Sequence, residues 1–189
     1  GRHPEVGVRF ALLDRPIDLV EEGYDVAIRI GELSDTSAIA TRVGAVRRVV
    51  IAAPGYIERH GEPKTPDDLI RHDIVGFAGI DGAARWSFSG GVEAAVKPRL
   101  VVNTAEAAID AASAGFGITR VLSYQASNAL AHRSLLRLLR EHEPAEVPIH
   151  LVYPDGRHPP PKLRAFLDFV APRLRQRCER VARSLGGGA

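Results

Sequence analysis

Leu19 to Gly31 reads LVEEGYDVAIRIG, and this stretch decides the fold. The end of an amphipathic helix runs into Gly23, and glycine enters the left-handed region without penalty, so it supplies a helix stop. A buried-type strand, Asp25 to Ile30, follows at once and closes on Arg29 and Gly31. In open α/β sheets ligands lie beyond the carboxyl ends of the strands. A strand that ends on polar residues and glycine is therefore a candidate border of a ligand crevice.

Working upstream, Val6 to Leu13 (VGVRFALL) has the apolar and β-branched content of a strand. Asp14-Arg15-Pro16 opens a helix, because Asp14 can accept from orphan N–H groups and Pro16 is tolerated in a first turn. Ile17, Val20 and Tyr24 share one face of it. Strand, helix, strand predicts the start of a parallel sheet.

Downstream, Ile39 to Val43 and Arg47 to Ala53 read as strands, the second apolar enough for burial on both faces. Pro54 starts a short helix that Gly61 ends. Thr65 caps, with Pro66 in the first turn and Asp68 three residues on, so Asp67 to His72 is a helix. Ile74 to Phe77 is a strand, and Trp86 to Phe88 with Glu93 to Val96 flank Gly90-Gly91 as a hairpin. Arg99 to Val102 is a strand. Asn103 caps the alanine-rich helix Thr104 to Ala114, which Gly115 stops. Gly117 to Leu122 is a strand, and Ser123 caps the helix Tyr124 to Ala131. Leu135 to Leu139 and Ile149 to Tyr153 are strands separated by a linker, Pro144 to Pro148. A long C-terminal helix follows Pro159-Pro160-Pro161, with Leu163, Phe166, Val170 and Leu174 on its buried face. Pro172 is expected to kink or interrupt it.

Composition narrows the class. Of 189 residues, 45% are hydrophobic and 25% charged, and the formal net charge is +2, which excludes a disordered chain and gives no reason to expect nucleic-acid binding. One cysteine, Cys178, precludes an intrachain disulfide and fits a reducing compartment. No run has the length of a transmembrane helix. The chain contains no methionine, so it reads as a processed product or a fragment.

Enzyme motifs are absent: no G-x-S-x-G, no phosphate-binding loop, no H-E-x-x-H. Gly115-Phe116-Gly117 follows a helix and enters a strand, the reverse of a dinucleotide turn, and reads as a helix stop plus close packing. The seven histidines are scattered without metal-ligand spacing. From Lys162 onward seven Lys/Arg face two acids, a pattern that fits a solvated helix face better than a nucleic-acid patch. The positive signal is convergence. Helix N-termini near Asp14, Asn103 and Ser123 each follow a strand, so in a parallel sheet they share one edge. Their free N–H groups and dipoles suit a carboxylate or phosphate, and Arg29 adds a formal charge.

These segments, taken in order, resemble a known family. HPEVGVRF, DLVEEGYDVAIRIG, RRVVIAAPGYIERHGEPKTPDDLIRHDIVGF, the W-x-F of Trp86 and Phe88, PRLVVNTAEAAIDAASAGFGI, LSYQASNALA and LVYPDGRHPPPKLRAFLDFV are similar to the effector-binding domain of LysR-type transcriptional regulators. The resemblance covers nearly the whole chain. It implies an α/β, two-lobed, periplasmic-binding-protein-like (type 2) fold with Rossmann-like lobes. The chain would cross between lobes near Val43 to Arg48 and again near Pro148 to Val152. Residues 1–46 and 149–189 would form lobe I and residues 47–148 lobe II. A small metabolite, an organic anion by the basic and helix-terminal signals, would bind between them. The implied effector positions are Leu13, Asp14, Arg29, Ile30, Gly31, Phe77, Ala78, Gly79, Asn103, Thr104 and Ser123.

The same resemblance implies a cytoplasmic, non-enzymatic homodimer or tetramer with no cofactor, no metal and no membrane partner. Operator DNA would be reached only through a winged helix-turn-helix, which this chain lacks. The family's first strand and helix of lobe I also precede HPEV and are missing here, which would leave inner strand edges unpaired. A periplasmic solute-binding protein for transport, and a small enzyme using the cleft, are the alternative readings.

Overall fold

The computed structural model describes residues 6–13, 17–33, 38–79, 85–154 and 159–186. In chain order the strands are β1 (Ala27–Ile30), β2 (Ala38–Val46), β3 (Arg48–Ala52), β4 (Ile74–Phe77), β5 (Arg85–Ser87), β6 (Glu93–Ala95), β7 (Pro98–Val102), β8 (Ile118–Leu122), β9 (Leu136–Leu138) and β10 (Val147–Pro154). The α-helices are α1 (Pro54–His60), α2 (Ala105–Ser113), α3 (Ser123–Ala131) and α4 (Pro161–Gly186). They build two lobes. One has a three-stranded sheet ordered β1-β10-β2, the other a five-stranded sheet ordered β7-β4-β8-β3-β9 with the β5–β6 hairpin beside it.

The five-stranded sheet holds the larger core. β3 and β4 are buried along nearly their whole length, as their unbroken apolar runs require. α2 lays Ala105, Ala108 and Ala112 on this core, and alanine at those positions lets the helix axis come close to the sheet. Trp86 and Phe88 close it from the hairpin side, with the Arg120 guanidinium over both rings at 4.9 and 5.6 Å. Thr65, Pro66 and Asp68 form the expected capping box, but the turn they start, Pro66–Arg71, is a 3-10 helix.

The smaller core gathers Val43, Val46, Val147, Ile149 and Leu151 under Leu167, Val170, Ala171, Leu174 and Cys178 of α4. These α4 positions keep the three- and four-residue spacing of one helix face. At Gly44 an added Cβ would sit 2.6 Å from Cys178 Sγ, so the helix approaches β2 as closely as it does only because residue 44 lacks a side chain. α4 runs unbroken through Pro172, contrary to the expected interruption. Its packing over so many turns holds the helix together there. Its basic residues face solvent, and Arg173 folds back on the Phe169 ring at 3.6 Å.

The first lobe departs from the sequence reading in three ways. Val6 to Leu13 is not a strand: Val6, Val8, Phe10 and Leu12 are exposed, Leu12 at 96%. Alternating apolar residues make a strand only once they pair, and among the described residues this segment joins no sheet. The helix expected from Asp14 to Gly23 shrinks to a turn. Asp14 lies outside the described residues, and Asp18 does the capping, its Oδ1 accepting from the N–H groups of Val20 and Glu21 at 2.8 and 3.0 Å. Only four residues lie between Asp18 and the left-handed Gly23, too few to sustain a helix whose apolar Val20 is 72% exposed. The sheet is antiparallel rather than parallel, since β10 runs against both β1 and β2. Among the described residues β1 has one unpaired edge, with Ile28 and Ile30 at 50% and 38% exposure.

Candidate functional site

One residue, Arg47, separates β2 from β3, and the return crossing is β10, whose Val147 pairs with Val46. Both crossings are tied to the second lobe. The Arg47 N–H donates to Ser123 Oγ at 3.1 Å, and the Ser123 N–H donates to the Arg47 carbonyl at 2.8 Å. The Arg47 guanidinium lies 2.7 Å from Glu146 and 3.8 Å from Glu143. Glu143 in turn takes a bidentate pair from Arg137, 2.5 Å at each oxygen. Ser123 was expected to cap α3 and contact effector. It is instead buried at 1% exposure, with its hydroxyl oxygen accepting from the crossing strand, and Gln125 caps α3 by accepting from the Leu122 N–H at 2.8 Å.

At the same end of the five-stranded sheet, the parallel strands β7 and β4 finish side by side. Phe77 pairs with Val102, and the Ala78 N–H extends the ladder to the Val102 carbonyl at 3.0 Å. This brings Phe77, Ala78 and Gly79 next to Asn103 and Thr104. All but Phe77 are exposed. The cap of α2 is Thr104 rather than Asn103: its Oγ1 accepts from the Ala107 N–H at 3.2 Å. Both residue types cap well, and the extended backbone at Thr104 decides between them. The Asn103 side chain is thereby left out of the cap, beside the open N-terminus of a nine-residue helix.

In the first lobe, Gly31 lies against the return crossing, its N–H donating to the Pro148 carbonyl at 3.0 Å. Ile30 pairs with Ile149, and Arg29 with His150. Leu13 is exposed in an irregular segment. The structure thus groups Phe77 to Gly79 with Asn103 and Thr104, places Ser123 in the hinge, and sets Arg29 to Gly31 along the hinge strand. Sequence reasoning did not single out Arg47, Glu143, Arg42 or His150, because each gains its meaning from partners distant in the chain. Among the described residues no three His, Cys, Asp or Glu side chains gather as a metal site, and no helix is long and apolar enough to cross a membrane.

At the opposite end of β4 lies a polar cluster. The Tyr56 hydroxyl is 3.3 Å from His72 Nδ1 and accepts from the Asp73 N–H at 2.9 Å, while the Tyr56 ring stacks on His60 at 4.4 Å. Burial, then the neighbouring His60, pushes the His72 pKa below its ordinary 6.5. The unfolded chain therefore binds the extra proton first. Stability contributed by neutral His72 is complete above about pH 6.5 and is lost as pH falls toward the lowered folded value. Urea midpoints should drop between pH 7.5 and 5.5, with part of that slope missing in His72→Gln. Equal slopes in the two proteins would refute this assignment.

Two α/β lobes, joined by two crossings and with strand ends and a helix N-terminus gathered beside them, define a two-lobed ligand-binding domain. The chain belongs to the LysR substrate-binding domain family, whose model matches residues 1–175. It is 32% identical over 165 residues to an uncharacterized HTH-type transcriptional regulator of Haemophilus influenzae, covering 86% of this chain and 57% of that protein. The regulatory domain of CrgA, a LysR-type transcriptional regulator from Neisseria meningitidis, superposes with a TM-score of 0.72 at 28% identity, covering 82% of this chain and 78% of that one. The full-length Vibrio cholerae virulence activator AphB gives a TM-score of 0.79 at 25% identity, covering 91% of this chain and 59% of that one. The chain spans little more than half the length of the curated relatives it matches, 57% and 58% for two of them.

Proposed function

We propose that this chain is the effector-sensing part of a cytoplasmic, non-enzymatic LysR-type transcriptional regulator, and that it binds a small organic anion between its lobes. Lobe I is residues 1–46 and 149–189, and lobe II is residues 47–148. The contact positions are Leu13, Asp14, Ile30 and Gly31 from the first lobe, and Phe77, Ala78, Gly79, Asn103 and Thr104 from the second. Ser123 acts behind them by fixing Arg47, and Arg29 supplies positive potential nearby. Operator DNA would be bound by a helix-turn-helix elsewhere in the polypeptide, in a dimer or tetramer. Binding would favour one interlobe geometry to the extent that the two geometries differ in affinity.

The observation that carries this reading is the exposed edge at residues 78–79 and 103–104, where the first N–H groups of α2 stand open beside the hinge. An anion there meets donors and the positive end of the helix dipole. The experiment is a thermal-shift screen of mono- and dicarboxylates on the full-length protein. A ligand at about a hundredfold over its Kd adds roughly 2.7 kcal/mol, or about 5–10 °C at this size. Asn103→Ala and Thr104→Ala should remove most of that shift. A screen without a shift, or a shift indifferent to both variants, would overturn the proposal.

A further inference from the structure

On the three-stranded sheet two arginines flank a histidine, and among the described residues no carboxylate pairs with either arginine. Arg29 on β1, His150 on β10 and Arg42 on β2 are direct cross-strand partners. Residues directly opposite one another project from the same face, with Cβ atoms about 5 Å apart. The face is fixed by the neighbouring rung. Thr41 and Leu151 line a groove with Leu167 and Ala171 of α4. Arg42 and His150, one residue along, therefore point away from α4, and Arg29 with them.

Two guanidiniums on strands either side of β10 concentrate positive potential on that face. Among the described residues no carboxylate pairs with Arg29 or Arg42, and neither makes a side-chain hydrogen bond. The central member carries a second unmet demand. His150 Nδ1 is buried and has no hydrogen-bond partner. A buried polar atom left unpaired is costly, and one in a native fold calls for an explanation. The strand is also irregular at this point, for the β10–β2 register shifts between Ile149 and His150. Bulges of this kind re-aim side chains and occur preferentially beside functional sites.

We infer that Arg29, His150 and Arg42 form an oxyanion-binding site on the face of the first lobe turned away from α4, taking a carboxylate or a phosphate group. Two guanidiniums offer paired N–H donors to the planar edge of such a group. The imidazole between them donates from Nδ1 and so satisfies a buried atom that the fold leaves without a hydrogen bond. The site is independent of the interlobe reading. Arg29 belongs to it through its mid-strand side chain, while the open edge of lobe II lies on the other sheet.

The test is a titration of the full-length protein with inorganic phosphate and, separately, with succinate, at constant ionic strength. The readouts are the His150 imidazole and arginine Nε NMR signals, with heats of binding alongside. The two probes distinguish a phosphate from a carboxylate ligand, and saturable binding of either supports the site. Arg42→Gln, at an exposed position, and His150→Gln should each weaken that binding at least about tenfold, as expected for loss of a charge-assisted hydrogen bond. The His150 response should be the same in Asn103→Ala, whatever that variant does to binding between the lobes. No saturable change at His150 with either probe, or affinity untouched by both Arg42→Gln and His150→Gln, would overturn the inference. Loss of the His150 response in Asn103→Ala would also overturn it, since the anion would then sit between the lobes.

Discussion

Gly117→Ala is expected to destabilise the five-stranded lobe by about 3 kcal/mol or more, the sum of an overpacked contact and a strained backbone. At Gly117 φ is +155°, and an added Cβ would fall 2.2 Å from the Asp73 carbonyl oxygen. That carbonyl cannot retreat without cost. It accepts the Ile118 N–H at 2.9 Å, the bond that leads into the parallel β4–β8 register of Ile74 with Ile118 and Val75 with Thr119. The Asp73 N–H is held by the Tyr56 hydroxyl, and its carboxylate lies 3.0 Å from Arg99. Displacing residue 73 therefore disturbs three attachments together. The chain's one tryptophan, Trp86, is 3% exposed in the hairpin packed on this lobe, so its fluorescence during urea unfolding reads the effect directly. Gly7→Ala, with nothing within 4 Å, is the control and should stay within about 0.5 kcal/mol of the parent. A Gly117→Ala protein within 1 kcal/mol of the parent would contradict the packing described for this turn.

That glycine also marks where the sequence was legible. Gly115-Phe116-Gly117 reads as a helix stop and a close approach, and both hold: the Gly115 N–H returns to the Ala112 carbonyl at 3.0 Å, and Gly117 abuts residue 73. Most of the second lobe was equally readable. The strand from Ile74 to Phe77 has the expected ends, and the Gly90-Gly91 hairpin joins the expected strands. These elements carry their own signals of apolar runs, glycine stops and proline starts. The first lobe did not, because its signals depend on partners. VGVRFALL has the composition of a strand but joins no sheet among the described residues. The segment before Gly23 has a helical face and too few residues to use it. The proposed effector edge divides in the same way. The meeting of residues 77–79 with 103–104 was legible because strand ends and helix starts are local features. Ser123 was misread as the cap of α3 because its partner, Arg47, lies 76 positions away.

The second large effect concerns Glu143, which no local pattern distinguishes. Its side chain is 4% exposed and holds Arg137, itself 14% exposed, through two charge-assisted bonds. Arg137 also donates to the Leu185 carbonyl near the end of α4 at 2.9 Å. Glu143 thus links the Arg47 crossing, β9 and the C-terminal turn of a helix whose earlier turns pack on the other lobe's core. Glu143→Ala leaves a largely buried guanidinium without its counter-ion and is expected to cost about 3–5 kcal/mol, measured as a fall in urea midpoint at constant m-value. The double variant Arg137→Met/Glu143→Leu removes both charges while keeping volume, and should recover most of that loss, since apolar replacement of a whole buried pair is often neutral or better. Stability and coupling then separate. The double variant keeps its folded lobes but frees the end of α4 from the five-stranded lobe, so the lobes should sample a wider range of angles. Small-angle scattering should report a larger radius of gyration than the parent, and amide exchange should quicken over residues 180–186. If Glu143→Ala costs under 1 kcal/mol, or if the double variant leaves both readouts at parental values, α4 does not restrain the hinge through this pair.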